Sequence, residues 1–366
     1  MHEVGNMMPE TATQTDEVLL GRVGSAAIIS LNRPKALNSL NLAMVRVMKE
    51  AMDRFAADPG ISCVILKGEG ERGLCAGGDI RVIHEAGKAK DPDVTRFWRE
   101  EFPVNYMISR YAKPYVALMD GIVMGGGVGV SAHGKHRVVT ERTKLAMPET
   151  GIGYVPDVGA TWLLPRAPGE VGTWMGLTGE VVGPADAIYA NLADACVSSE
   201  RLSELVEALG RLPGGASDDA VRQTIDGFAI SPGEGILESN RALIDRALGH
   251  NTVEEIVAAL ERETGEFAAK TRELIAKRSP TSLKLTLRML RLGRQSSSLV
   301  ECLEREFAVG SEILRNHDFY EGVRAAIIDK DRNPKWSPAR LEEVLDEDLD
   351  RYLAVRHPAL FPDHRL

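Results

Sequence analysis

The 366-residue chain is poor in cysteine, and Cys63, Cys75, Cys196 and Cys302 are scattered with no C-x-x-C pair among them. That spacing argues against a zinc ribbon or a disulfide framework and fits a reducing compartment. Positive charge is also short, with 44 Lys and Arg against 53 Asp and Glu, a net −9. This balance gives no global pull toward nucleic acid or an anionic membrane. No apolar run is long enough to span a bilayer. The opening MHEVGNMMPETATQTDEV has neither the basic segment nor the apolar stretch of a secretory signal. These absences imply a disordered leader over residues 1–16 and a cytoplasmic protein with no nucleic-acid or membrane partner. His133 and His136 have no third ligand or partner acid nearby in sequence, so no metal site is expected. Ser131 lacks a G-x-S-x-G elbow, and Cys75, with no nearby His, reads as a structural thiol.

What the chain does have is glycine, concentrated in LCAGGDI (74–80) and GIVMGGGVGVSAHG (121–134), each just after an apolar run. Without Cβ, backbone N–H groups can approach a ligand closely. GGGVGV is not a dinucleotide G-x-G-x-x-G loop, and the chain has no G-x-x-x-x-G-K-[S/T] phosphate loop. Two tight packing turns would account for the glycines. So would an oxyanion hole, in which the N–H groups of Gly78 and Gly126 face one carbonyl oxygen. Removing one donor of such a pair typically costs about 2.7–4 kcal/mol of transition-state stabilisation. Glycine spacing alone leaves both readings open.

Around these motifs, SAAIISL (25–31), SCVILKGEG (62–70) and KPYVALMDG (113–121) read as short buried strands, and HRVVTERTKLAMPETGIGYVPDVG (136–159) holds two more. Asn41 is a candidate cap for a helix carrying Val45, Met48, Met52 and Phe55 on one face. Strands and helices alternate, which indicates an α/β fold. Past residue 220 the periodicity becomes helical, with Ser or Thr before each run, and RLPGGASDD (211–219) reads as the connecting loop. The expected division is a core over 17–220 and a helical C-terminal region over 221–366.

NRPKALNSL, LCAGGDI, GIVMGGGVG and MPETGIGYVPDVG occur in an order and spacing that resemble the enoyl-CoA hydratase/isomerase (crotonase) superfamily. The resemblance implies a crotonase-type spiral of ββα units that stabilises an acyl-CoA enolate or tetrahedral oxyanion. Gly78 and Gly126 would then supply the N–H donors. Family hydratases carry a catalytic Glu in a G-G-G-x-E pattern, and here that position is Gly129. Glu149 in MPET remains, and Asp157 in PDVG is added. With FWREEF around Glu101 and the segments 279–290 and 317–336, the pattern is similar to the family's thioester-hydrolysing branch that acts on 3-hydroxyisobutyryl-CoA in valine catabolism.

By that resemblance, Glu149 is the active-site glutamate, Asp157 holds water or the substrate hydroxyl, and Glu101 contacts that hydroxyl. Lys35, Ala36 and Leu37 would meet phosphate and pantetheine, with Arg33 a second phosphate candidate. Ala76, Asp79 and Ile80 would border the adenine. No cofactor is expected, because coenzyme A is part of the substrate. Two alternatives stand beside the hydrolase: an enoyl-CoA hydratase/isomerase, and a non-catalytic acyl-CoA-binding protein. In the latter the 251–315 helices would form an interface between copies, and a homo-oligomer is compatible with the resemblance.

Overall fold

The computed structural model describes residues 16–362, so the expected leader lies outside the described residues except for Asp16. Seven strands form the larger sheet, in the order β1 (Val18–Val23), β2 (Ala26–Leu31), β3 (Cys63–Gly68), β5 (Tyr115–Met119), β7 (His136–Val139), β9 (Ala195–Val197), β10 (Ala229–Ile230). The run from β2 to β9 is parallel, and the two edge strands pair antiparallel. A second sheet of three parallel strands holds β4 (Gly73–Cys75), β6 (Ile122–Met124) and β8 (Lys144–Ala146).

The chain visits the two sheets alternately, β3 then β4, β5 then β6, β7 then β8. The first two pairs each run on into a helix, α2 (Ile80–Lys88) and α4 (Gly126–Ser131). This is the expected spiral of ββα units. Strands covered on both faces need continuous apolar sequence. Accordingly every residue of β2 and β5 is buried. The third pair ends in a single 3-10 turn, Glu149–Ile152, which leaves Glu149 at the end of β8. The glycine-rich GEGERG (68–73) has G-x-G-x-x-G spacing, but it bends the chain from β3 into β4 and opens no helix.

Helix α1 (Leu42–Ala57) starts where Asn41 accepts the Met44 N–H, and it buries Val45, Met48, Met52 and Phe55. Ser217, Thr252, Ser279 and Ser298 cap later helices in the same way. Beyond residue 220 the described elements are helices and turns apart from the two-residue β10. The 251–315 helices bury Ile256, Leu260, Leu283, Leu287, Leu303 and Phe307 in the core cluster that also holds α1 and one face of the large sheet, whose other face belongs to a second, smaller cluster. Their apolar faces are therefore already used within the chain.

At the site, β4 and α4 join closely. A Cβ on Gly127 would lie 2.3 Å from the Cys75 carbonyl oxygen, a backbone atom that cannot rotate away. Gly127→Ala should therefore push the two glycine segments apart, at a cost of about 1–3 kcal/mol typical of overpacking. A lower melting temperature together with slower turnover is the expected result, read by circular dichroism and an activity assay.

Candidate active site

Two backbone segments meet at the centre of the site. Gly78 precedes α2 and Gly126 opens α4, and a Cβ built on Gly126 would come within 3.3 Å of the Gly78 nitrogen. Among the described residues neither N–H donates to a backbone acceptor. The structure thus brings together the two donors expected from the sequence.

Two carboxyl groups occupy the space that side chains on the triple glycine would fill. Glu149 Oε1 lies 2.9 Å from the Cβ position of Gly125, and Glu101 Oε1 lies 2.8 Å from that of Gly126. Any larger residue at 125 or 126 would collide with an acid. Glycine is required here for close approach, and at Gly125 also for its φ of +50°.

Glu101 comes from α3 (Arg96–Ser109), a helix whose buried face includes Trp98, Phe102, Asn105 and Ile108. Glu101 and Glu149 are 1% and 7% exposed. Burial pushes each carboxyl up to about 8. Asp157 is raised well above the usual carboxylate range, first by burial and then by Glu149, Glu101 and Glu306 around it. Where one acid sits near others in a dry pocket, the charged forms oppose one another.

Glu306, from the helix Leu299–Ile313, is the residue that sequence reasoning missed. Its carboxyl accepts the Gly159 N–H at 2.7 Å, the Thr161 N–H at 2.9 Å and the Thr161 hydroxyl at 2.6 Å. Burial raises it to about 7 against those bonds. The signal was available, since Glu306 falls on the stripe Leu299, Leu303, Gly310 at helical spacing.

Glu306 and His133 together hold the turn that carries Asp157. The His133 ring donates to the Val158 carbonyl at 2.7 Å. Val158 sits at φ +52°, a strained backbone for a β-branched residue. Such conformations persist when their surroundings over-determine them.

The position of Gly129 is closed to a larger side chain. A Cβ there would meet Val158 Cβ at 2.6 Å and Asn105 Nδ2 at 3.0 Å. Cys75 is fully buried with its thiol pushed up to about 12, and the Ser131 hydroxyl donates to the Gly127 carbonyl. Neither is an available nucleophile.

The expected coenzyme A loops adjoin each other, since the Ala76 N–H donates to the Leu37 carbonyl at 3.0 Å. Lys35 is exposed and, with Leu37 and Arg72, lines a cleft of about 350 Å³. Ala36, Ala76 and Ile80 are half-buried nearby. Asp79, however, is ion-paired with Arg33 at 3.0 Å, and Arg33 also reaches Glu17. Both of these side chains are thus engaged within the protein.

The four raised carboxyls have a thermodynamic consequence. The folded state keeps protons that an unfolded chain, with carboxyls near pH 4, would release. Their contribution to stability is therefore complete at low pH and is lost as pH rises through about 7–8. The melting temperature should fall between about pH 5 and about pH 8, and should fall less in Glu149→Gln. Equal slopes for the two proteins would contradict the buried-acid reading.

Comparison with known proteins agrees with this architecture. A family model described as enoyl-CoA hydratase/isomerase matches residues 26–353. The mitochondrial 3-hydroxyisobutyryl-CoA hydrolase of Danio rerio is 44% identical over 354 residues, covering 95% of this chain and 91% of that protein. The Homo sapiens protein of the same name is 43% identical over 350 residues, covering 94% and 90%. A crystal structure described as a carnitinyl-CoA dehydratase from Mycobacterium thermoresistibile superposes with a TM-score of 0.89 at 42% identity, covering 94% of this chain and 98% of that one. One described as an enoyl-CoA hydratase from Rhodobacter sphaeroides 2.4.1 gives 0.84 at 40% identity, covering 93% and 97%.

These relatives overturn the expected cytoplasmic location, because the matching hydrolases are named mitochondrial. The sequence cues behind that expectation, scattered cysteines and no secretory leader, test for secretion and oxidation and do not distinguish one interior compartment from another. On the match over 26–353 and the identity across nearly the whole length of these relatives, the chain belongs to the enoyl-CoA hydratase/isomerase family.

Proposed function

We propose that the protein hydrolyses a short 3-hydroxyacyl-CoA thioester of the 3-hydroxyisobutyryl-CoA type, a reaction of valine catabolism. One observation carries the choice within the family: Glu149 stands beside the Gly125 backbone while the position of a second catalytic glutamate, Gly129, is filled from outside by Val158 and Asn105. Hydration of an enoyl-CoA calls for paired acid and base groups around one water, and that position cannot supply one of them. The names of the similar hydrolases support the same reading. The core over 17–220 would carry the acyl-CoA site, with Glu306 reaching it from the helical region over 221–366.

In this reading the thioester oxygen accepts from the Gly78 and Gly126 N–H groups. Negative charge develops there in a site shielded from water, where two fixed donors act most strongly. Glu149 as carboxylate attacks the thioester carbon, the tetrahedral oxyanion collapses, and coenzyme A leaves as a thiolate that takes up a proton. Water then cleaves the acyl-Glu149 anhydride, returning Glu149 and the free 3-hydroxy acid. The same geometry allows Glu149 to deprotonate a water that attacks directly. In a single turnover in oxygen-18 water, label entering Glu149 identifies the anhydride route with water attacking the glutamyl carbonyl. Asp157 would hold the water, Glu101 the substrate hydroxyl, and Lys35, Ala36, Leu37, Ala76, Asp79 and Ile80 would border coenzyme A.

The second reading, an enoyl-CoA hydratase or dehydratase, is favoured by the names of the two superposed structures. Thiol release decides between the readings. 3-Hydroxyisobutyryl-CoA should yield free coenzyme A, and crotonyl-CoA should not be hydrated at a comparable rate. Fast hydration without thiol release would overturn the proposal.

Glu149→Gln should retain its fold and lose at least about 100-fold in turnover, the lower range of what a positioned acid–base group supplies. Because Glu149 must be ionised to act and burial holds it up to about 8, kcat/KM should climb with pH and level off above that value.

A further inference from the structure

Asn105 is a buried polar side chain that the scheme above leaves without a role. It is fully buried, and among the described residues neither its Nδ2 nor its Oδ1 has a hydrogen-bond partner. Buried amides are normally paired, and one that is not calls for an explanation. Its placement supplies one. Asn105 follows Glu101 by four residues on α3, so both project from the same face of that helix.

Opposite them runs α4, where Gly126 faces Glu101 and Gly129 faces Asn105. The amide therefore lies one helical turn, roughly 5 Å, along from the Gly126 donor. The hydroxyl of a 3-hydroxyacyl thioester is displaced from its carbonyl by two carbons, a similar distance. Resting on the hydrolase reading, we propose that Asn105 is a specificity-determining residue whose amide shares the 3-hydroxyl of the substrate with Glu101, each taking one of its hydrogen bonds.

The chemistry is complementary. A hydroxyl is both a donor and an acceptor, and so is a primary amide. The amide is neutral, so it can hold the hydroxyl without taking a proton from the substrate. A pocket that leaves such a group unpaired also rejects acyl chains lacking the hydroxyl, because those chains bury the amide with nothing to bond. Selection against the deoxy chain thus follows from the same atom pair that binds the hydroxylated one.

The test compares wild type with Asn105→Leu, a substitution of similar size that removes both polar atoms. Thiol release is measured with 3-hydroxyisobutyryl-CoA and with isobutyryl-CoA, and melting is followed without substrate. The ratio of kcat/KM for the hydroxylated over the deoxy substrate should fall about 10-fold or more, the loss expected for a hydrogen-bonded pair. The melting temperature should hold or rise, because a buried amide without a partner is replaced by an apolar side chain. Asn105→Ala should show the same change in ratio.

A ratio within about two-fold of wild type in the variants would overturn the proposal. A clear drop in melting temperature for Asn105→Leu would also overturn it, by showing that the amide holds the fold. If wild type releases thiol from neither substrate, the hydrolase reading fails, and the melting comparison still decides whether Asn105 is structural.

Discussion

The site depends on one close approach, that of the backbone around Gly77–Gly78 to the backbone of Gly125–Gly127. Parallel pairing of β4 with β6 delivers the two segments side by side. Their lack of side chains then lets α4 pack against β4 until a Cβ on Gly127 would overlap a Cys75 backbone atom. At that separation two N–H groups can face one atom of a ligand. The same lack of Cβ leaves room for Glu149 and Glu101 beside them. Donor geometry and acid placement are therefore two consequences of a single packing arrangement.

Burial of the acids follows from it. The glycine segments are covered by α3, against which the helix Leu299–Ile313 packs, and Glu101, Glu149, Asp157 and Glu306 are all withdrawn from water. Removing water strengthens any interaction with developing charge, and it also disfavours four neighbouring negative charges. Glu306 partly offsets its own burial with three hydrogen bonds to the Gly159–Thr161 backbone and hydroxyl. In doing so it anchors the turn on which Asp157 is displayed. A carboxyl can in this way set the position of another that is far away in sequence.

At Gly129, Val158 and Asn105 close off the space that a larger side chain would need. Two superposed structures described as a dehydratase and a hydratase share this fold at 42% and 40% identity, which illustrates that a fold hosts several reactions and that side chains at the site choose among them.

Much of this was legible in the chain itself. The apolar runs of β2, β3 and β5, the Asn41 cap and the two glycine motifs are local signals, set by backbone sterics and by burial on both faces of a strand. The motif order pointed to the family, and with it to Gly78, Gly126, Glu149, Asp157 and Glu101. What the sequence could not specify was which distant groups share a pocket. Glu306 lies 147 residues from Gly159 and still binds its N–H, and Arg33, legible as a phosphate ligand, is ion-paired with Asp79. No local signal in the sequence singles out Asn105, which tertiary packing buries without a partner among the described residues. Local sequence determines turns, caps and strands because those depend on neighbours in the chain. Proximity of charges and the loss of water depend on packing between elements far apart in sequence, and only the folded structure decides them.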